Sequence, residues 1–172
     1  QIASAIRNGN NGSGVLCVLG NYGGDVMNFE MACEIVKSEG IETKMIIVSD
    51  DIASASNEDK LKRRGIAGLI FAFKIAGASS ENGATLEEVY DLTLKANNNL
   101  RTIGVAVSSC ILPEVGKPTF ELKNDEIEIG MGIHGEPGIK REKLRKADLL
   151  VDDLCKLIFE DFEMSNSDKV SI

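Results

Sequence analysis

One histidine, His134, stands in 172 residues, inside the stretch Gly130-Met131-Gly132-Ile133-His134-Gly135-Glu136-Pro137-Gly138. An imidazole at such a place serves as general base, nucleophile or hydrogen-bonding cap. The carboxylate best placed to work with it is Asp25, which follows Gly23-Gly24 at the end of an apolar run and the start of a helical pattern. Two readings of Asp25 stand side by side. As a helix cap it accepts backbone N–H bonds. As a general base or proton relay it sits at the ligand-binding edge of a sheet. Capping lowers a carboxylate pKa, so the second role needs a desolvating pocket to compensate. His134 divides the same way, between a site residue beside glycine-made space and a capping or core histidine in a tight turn. A neutral imidazole has one further option: attack on a reactive carbonyl, holding a small hydroxyketone as a covalent hemiaminal. Residue pattern alone does not select it.

Other chemistry is weaker. The Gly20–Gly24 stretch lacks the Gly-Lys-Ser/Thr ending of a phosphate-binding loop and the GxGxxG dinucleotide fingerprint. Gly-x-Ser-x-Gly is absent, which removes the usual nucleophile elbow. Asp50-Asp51 fits a turn better than a cation site, and Lys62-Arg63-Arg64 reads as solvated charge before a phosphate or partner contact. Glu136 reads as a turn residue or substrate hydrogen-bond partner. The cysteines Cys17, Cys33, Cys110 and Cys155 are widely spaced and read as buried or half-buried thiols of a reducing cytoplasm, not a zinc site.

The elements that must position these groups follow from periodicity. Residues 2–7 resemble the end of a helix already under way. Val15–Leu19 is a continuous apolar run, as in a strand covered on both faces. A helix begins near Asp25 and ends at Gly40, and 44–48 is the next strand, completing a βαβ unit. Residues 54–64 are polar loop. Residues 66–78 form a deeply buried helix, with Ile66, Leu69, Ile70, Phe73 and Gly77 on one face. Thr85 and Glu88 make a capping box for a helix whose inner stripe is Leu86, Val89, Tyr90, Thr93, Asn97 and Leu100. Strands are expected at 103–107, 120–122 and 126–133, the last two as a hairpin. In 126–133, Ile127, Ile129, Met131 and Ile133 share the core face. Glu128, Gly130, Gly132 and His134 share an open face on which two glycines clear space. Residues 143–163 read as helix. The fold class is α/β, with a mixed, largely parallel sheet flanked by helices and a late β-hairpin.

Length implies one domain with a sizeable core. Nineteen basic against 27 acidic residues give a net charge of −8, and no basic tract carries interleaved aromatics, so nucleic-acid binding is disfavoured. No apolar run reaches transmembrane length and the start has no signal-peptide pattern, so no membrane partner is expected.

Four segments together resemble one family. Asn21-Tyr22-Gly23-Gly24-Asp25-Val26-Met27-Asn28-Phe29-Glu30, Arg63–Gly68, Gly116–Phe120 and Gly132–Gly138 match, in order, the motifs of the dihydroxyacetone kinase substrate-binding subunit. The similarity runs from about residue 5 to about residue 160. It implies that residues 1–164 are part of that subunit's α/β domain, followed by a polar tail at 165–172. It also implies that His134 forms the hemiaminal with dihydroxyacetone and that Asp25 assists hydroxyl activation. Gly24 and Gly132 would border the same substrate. The chain would bind no nucleotide itself: ADP or ATP would sit on a partner subunit or domain that supplies the phosphate. A cytoplasmic homodimer is implied. Two departures stand out. Gly20 occupies the place of a substrate-contacting lysine, and a glycine-rich upstream segment with a further histidine is missing, so the chain is expected to be the middle of a larger protein. The wider family also implies an alternative, a non-catalytic dihydroxyacetone-sensing paralogue that regulates transcription through a partner protein.

Overall fold

The computed structural model describes residues 1–162, 164 and 168–170. The chain divides into two compact units, one of Gln1–Asp51 and Leu61–Leu100, the other of Ile52–Lys60 and Arg101–Ile172.

The first unit is a sandwich of helices around one parallel strand pair. Its elements are α1 (Ile2–Gly9), β1 (Val15–Gly20), α2 (Gly23–Lys37), β2 (Thr43–Val48), α3 (Gly68–Glu81) and α4 (Leu86–Asn98). β1 and β2 run parallel in register from Val15 opposite Thr43 to Gly20 opposite Val48. Strand alternation divides the apolar residues between two helical layers. Val15, Cys17 and Met45 pack with Ile6 of α1 and with Phe29, Ala32 and Val36 of α2. Leu16, Val18, Ile46 and Val48 pack with Leu69 and Ala72 of α3 and with Tyr90 and Leu94 of α4. This is why the run reads as apolar throughout. The Thr85 capping box forms as expected: Glu88 N–H donates to Thr85 Oγ1 at 3.3 Å and Thr85 N–H to Glu88 Oε2 at 2.8 Å. Val89, Thr93 and Asn97 are its buried stripe.

α3 departs from expectation. Its buried residues are the small Gly68 and Ala72, with Leu69 partly buried beside them, while Ile70, Phe71 and Phe73 remain exposed. A face of small side chains lets the helix approach the sheet closely and turns the large ones outward.

The second unit holds β3 (Val105–Ala106), β4 (Glu126–Ile129), β5 (Lys140–Lys143) and α5 (Ala147–Asp161). β4 is the centre strand, antiparallel to both neighbours. Ile127, Ile129 and Leu150 form the core with Ile103, Val105 and Leu154 against them. The sheet content is therefore mixed, and the expected largely parallel arrangement is corrected: one strand pair is parallel and two are antiparallel. Among the described residues one βαβ crossover makes a parallel pair. The hairpin is also reassigned. Residues 120–122 form no strand, and β4 instead pairs with β5 across the stretch that contains His134. The helix expected from residue 143 begins at Ala147, because Lys140–Lys143 is taken by the sheet. Glu163, the expected end of that helix, and most of the tail at 165–172 lie outside the described residues; 168–170 are exposed and carry no regular structure.

No helix among the described residues is long and apolar enough to cross a membrane.

Candidate functional site

His134 sits in the connection of the β4–β5 hairpin, not at the end of a strand reaching residue 133. β4 stops at Ile129 because Gly130 adopts a φ of +79°. Ile139 N–H donates to Ile129 O at 2.8 Å and closes the base of the connection. Nearer the tip, Gly132 N–H donates to Glu136 O and Gly135 N–H to Gly132 O, both at 3.0 Å. A four-residue turn that ends on a glycine of positive φ, here Gly135 at +85°, makes a favoured three-residue hairpin loop. His134 is the third residue of that turn. Ile133, expected in the core, is exposed at the tip, whereas Met131 is buried as expected.

The turn brings Glu136 back onto His134. Glu136 Oε2 accepts the backbone N–H of His134 at 2.9 Å, and Oε1 lies 3.1 Å from the imidazole Nδ1. The His134 side chain is 62% exposed, and this contact orients its ring. Partial burial opposes ionisation of Glu136. The backbone N–H groups and the imidazole outweigh it, and the carboxyl is held below its usual range.

A second carboxylate fixes the base of the hairpin. Glu128, expected on an open face, is buried. Its Oε1 accepts Gly138 N–H at 2.7 Å, and its Oε2 accepts Arg141 Nε at 3.1 Å and Nη2 at 2.5 Å. The Arg141 guanidinium first, and the Gly138 N–H second, hold the Glu128 carboxyl below the usual range. Gly138 is obligatory, since a Cβ there would lie 2.2 Å from Ile129 O. The space beside Gly130 is likewise filled, with Ala53 Cβ 2.5 Å from where a Cβ would stand. These two glycines serve the backbone and not an open pocket. Gly132 is buried within the turn.

Gly24 and Asp25 belong to the first unit. α2 begins at Gly23 with Tyr22 as the extended N-cap residue, so Asp25 is the third residue of the helix and not its cap. It is exposed, in a first turn where the helix dipole favours negative charge. Nothing stands within 4 Å of a Cβ built at Gly23 or Gly24, which leaves the backbone before Asp25 open. Gly20 is crowded instead: a Cβ there would meet the Tyr22 ring at 3.0 Å and Gly65 O at 3.1 Å. Asn21 Nδ2 donates to Leu61 O and Arg63 O, both at 2.9 Å, and straps the following segment over the strand ends.

Of the basic knot, Lys62 is exposed, but the two arginines are not solvated charge. Arg63 is fully buried, and Arg64 pairs with the fully buried Asp51 through Nε at 2.8 Å and Nη2 at 2.7 Å. Asp50, also fully buried, accepts Ile66 N–H at 3.0 Å and Gly68 N–H at 2.8 Å. The acidic pair therefore does structural work at the entry to α3, as the turn reading expects. No cluster of three metal-ligating side chains exists among the described residues. Cys17 and Cys33, far apart in sequence, bring their sulfurs to 4.0 Å, while Cys110 is exposed and not buried.

The family model described as the Dak1 domain matches residues 1–172. The chain belongs to the Dak1 family. This Dak1 chain is 45% identical over 172 residues to the dihydroxyacetone-binding subunit DhaK of the PTS-dependent dihydroxyacetone kinase 1 of Listeria innocua. The match covers 100% of this chain and 52% of that relative, so the chain spans about half the relative's length. Two solved structures are similar. The native dihydroxyacetone kinase of C. freundii superposes with a TM-score of 0.85 at 34% identity, over 94% of this chain and 29% of that one. The dihydroxyacetone kinase operon co-activator Dha-DhaQ gives a TM-score of 0.85 at 32% identity, over 94% and 50%.

Within the Dak1 chain, Gly132 and His134 are together in the hairpin turn, and Gly24 and Asp25 are together at the start of α2. Sequence reasoning missed the pairing of Glu136 with His134 and the burial of Glu128. The first had a signal: a glutamate two residues after the histidine, across a glycine suited to positive φ, must return toward it. The second had none, because Arg141 lies in a strand of four charged residues.

Proposed function

We propose that this chain binds dihydroxyacetone through a covalent hemiaminal on His134 and presents it for phosphorylation to dihydroxyacetone phosphate. A nucleotide-bearing partner subunit or domain supplies the phosphoryl group, and the chain itself holds no nucleotide. The single observation that carries this reading is the exposed imidazole of His134, with Nδ1 3.1 Å from a Glu136 carboxylate oxygen. A carboxylate only accepts, so the ring proton lies on Nδ1 and the lone pair on Nε2. That lone pair attacks the ketone carbon. The carbonyl π pair moves to oxygen, which takes up a proton, and nothing leaves. The family membership supports the substrate, since the relatives named above are a dihydroxyacetone-binding subunit and a dihydroxyacetone kinase.

Asp25 takes the proton of the hydroxyl that becomes phosphorylated. Gly24 and Gly132 border the ligand. The working protein is a cytoplasmic homodimer whose domain extends over residues 1–164. Native mass spectrometry of the full-length protein with dihydroxyacetone tests the covalent step. The expected species carries the whole mass of one dihydroxyacetone, without loss of water, and His134→Gln removes it. A full-length protein with no such adduct refutes the mechanism.

Gly20 favours a second reading. The Tyr22 ring and the Gly65 carbonyl occupy the space beside it, so no long cationic side chain reaches out from this position. A chain of this kind senses the hydroxyketone without passing it on, as a transcriptional partner, and a co-activator is among the similar structures. Supplying the phosphoryl-donating partner separates the two: turnover supports the kinase subunit, and adduct formation without turnover supports the sensor.

A further inference from the structure

We infer that Glu136 is the positioning residue of His134, setting which ring nitrogen is the nucleophile and balancing the charge that the ring acquires when it bonds to a ketone. The chemical step rests on the hemiaminal reading above, but the positioning role does not, because it concerns the protein without ligand.

Glu136 divides its two oxygens between two tasks. Oε2 takes the backbone N–H of His134 at 2.9 Å, which helps to fix the turn. Oε1 faces Nδ1 at 3.1 Å, which fixes the ring. The Glu136 carbonyl meanwhile accepts Gly132 N–H at 3.0 Å, so the residue that orients the imidazole is tied by its own backbone to the start of the turn. Side chain and backbone of one residue therefore both act on where His134 points. Its exposure makes this necessary, since little packing surrounds a side chain that is 62% open to solvent.

Two consequences follow from the chemistry. A histidine left to itself in water favours the tautomer with the proton on the outer nitrogen, Nε2, which places the lone pair on the wrong side for attack. The carboxylate reverses that choice by accepting from Nδ1. Second, when Nε2 uses its lone pair to form the bond to carbon, the ring becomes an imidazolium that still carries the Nδ1 proton. The ketone π pair becomes an oxygen lone pair, and that oxygen takes a proton from water. Nothing is oxidised or reduced. The positive charge thus forms on a ring whose Nδ1 already faces Glu136, where a charge-assisted hydrogen bond stabilises the adduct more than the free ketone state.

The near-isosteric Glu136→Gln variant gives the sharpest test. Its amide oxygen replaces Oε2 on the His134 N–H and preserves the turn. Its NH2 group then faces Nδ1 and donates to it, which forces the ring proton onto Nε2. Glu136→Ala removes both contacts. Long-range 1H–15N spectra of the full-length, imidazole-labelled protein, without ligand and at a pH where the ring is neutral, report the tautomer directly. His134 is assigned by the signals lost in His134→Gln. The expected result is Nδ1–H in the wild type, Nε2–H in Glu136→Gln and a mixture dominated by Nε2–H in Glu136→Ala. The adduct weakens about ten- to hundredfold in both variants, as expected for loss of a hydrogen bond to a charged group. Glutamine is at least as damaging as alanine, which no loss of packing predicts. A wild-type ring carrying its proton on Nε2, or an unchanged tautomer in Glu136→Gln, overturns the positioning role. An adduct of unchanged strength in both variants overturns the charge-balancing role. If the wild type forms no adduct at all, the proposed function fails, while the tautomer result still decides the role of Glu136.

Discussion

Glu136 gives both carboxylate oxygens to His134, one to its backbone N–H at 2.9 Å and one to its Nδ1 at 3.1 Å. Glu136 thereby orients the imidazole through its Nδ1 side. The arrangement is built from five consecutive residues of a hairpin turn, so its geometry is local and does not depend on distant packing. What it depends on is the hairpin below it.

The hairpin base is an ion pair between a buried carboxylate, Glu128, and the half-exposed guanidinium of Arg141, and its pH dependence follows. The Glu128 carboxyl is held below its ordinary value by Arg141 and by the Gly138 N–H. A carboxylate of depressed folded pKa contributes stability above its unfolded pKa, about 4.3 for a glutamate, and loses that contribution as pH falls through the folded value. The second unit should therefore weaken below about pH 4. Glu128→Gln should flatten that dependence while lowering stability at pH 7. Denaturant unfolding from pH 3 to pH 7 measures both. An unaltered slope in the variant would remove the pair from the hairpin's stability.

Gly138→Ala tests the close approach at the same base. A Cβ 2.2 Å from Ile129 O cannot be accommodated without moving one strand. A loss of about 1–3 kcal/mol is expected from such overpacking. The His134 ring signals should shift in the same variant, because Gly138 N–H is tied to Glu128. A variant of unchanged midpoint and unchanged spectrum would show that the backbone yields freely there.

In the first unit, Asp50→Ala leaves Ile66 and Gly68 N–H without the oxygens they use now. Each donor left unsatisfied costs about 1–3 kcal/mol, so a total of about 2–6 kcal/mol is expected. Asp50→Asn keeps one acceptor and should fall between. Equal stabilities for all three proteins would mean that water replaces the carboxylate.

Asp25→Asn addresses phosphoryl transfer. Loss of a general base lowers turnover by about 100-fold or more. Binding of dihydroxyacetone should persist, because in the proposed mechanism the covalent bond is made by His134. Turnover with the phosphoryl-donating partner, measured beside adduct formation, separates the two steps. Equal turnover would end the catalytic role of Asp25.

Local devices were legible in the sequence and paired ones were not. The capping box of Thr85 and Glu88 is written in four consecutive residues, and the parallel pair of β1 and β2 in two apolar runs joined by a helix. β5 is Lys140-Arg141-Glu142-Lys143, with no apolar residue to show an alternation, so its pairing with β4 left no trace. The two halves of the Arg64–Asp51 pair lie thirteen residues apart, which made a buried charge cluster look like solvated charge. α3 misled in the opposite direction. Its large side chains suggested depth, but the close contact is made by Ala72 and Gly68. The motif around His134 marked the candidate site, while one of the two glycines that suggested open space, Gly130, faces Ala53 instead.

The central claim is the covalent bond from His134. Full-length protein mixed with dihydroxyacetone labelled with 13C at its carbonyl carbon tests it most directly. A bond to Nε2 converts that carbon from trigonal to tetrahedral, so its resonance should leave the ketone region in the wild type and stay there in His134→Gln. A bound ligand whose labelled carbon keeps its ketone resonance, or moves equally in the variant, would contradict the claim.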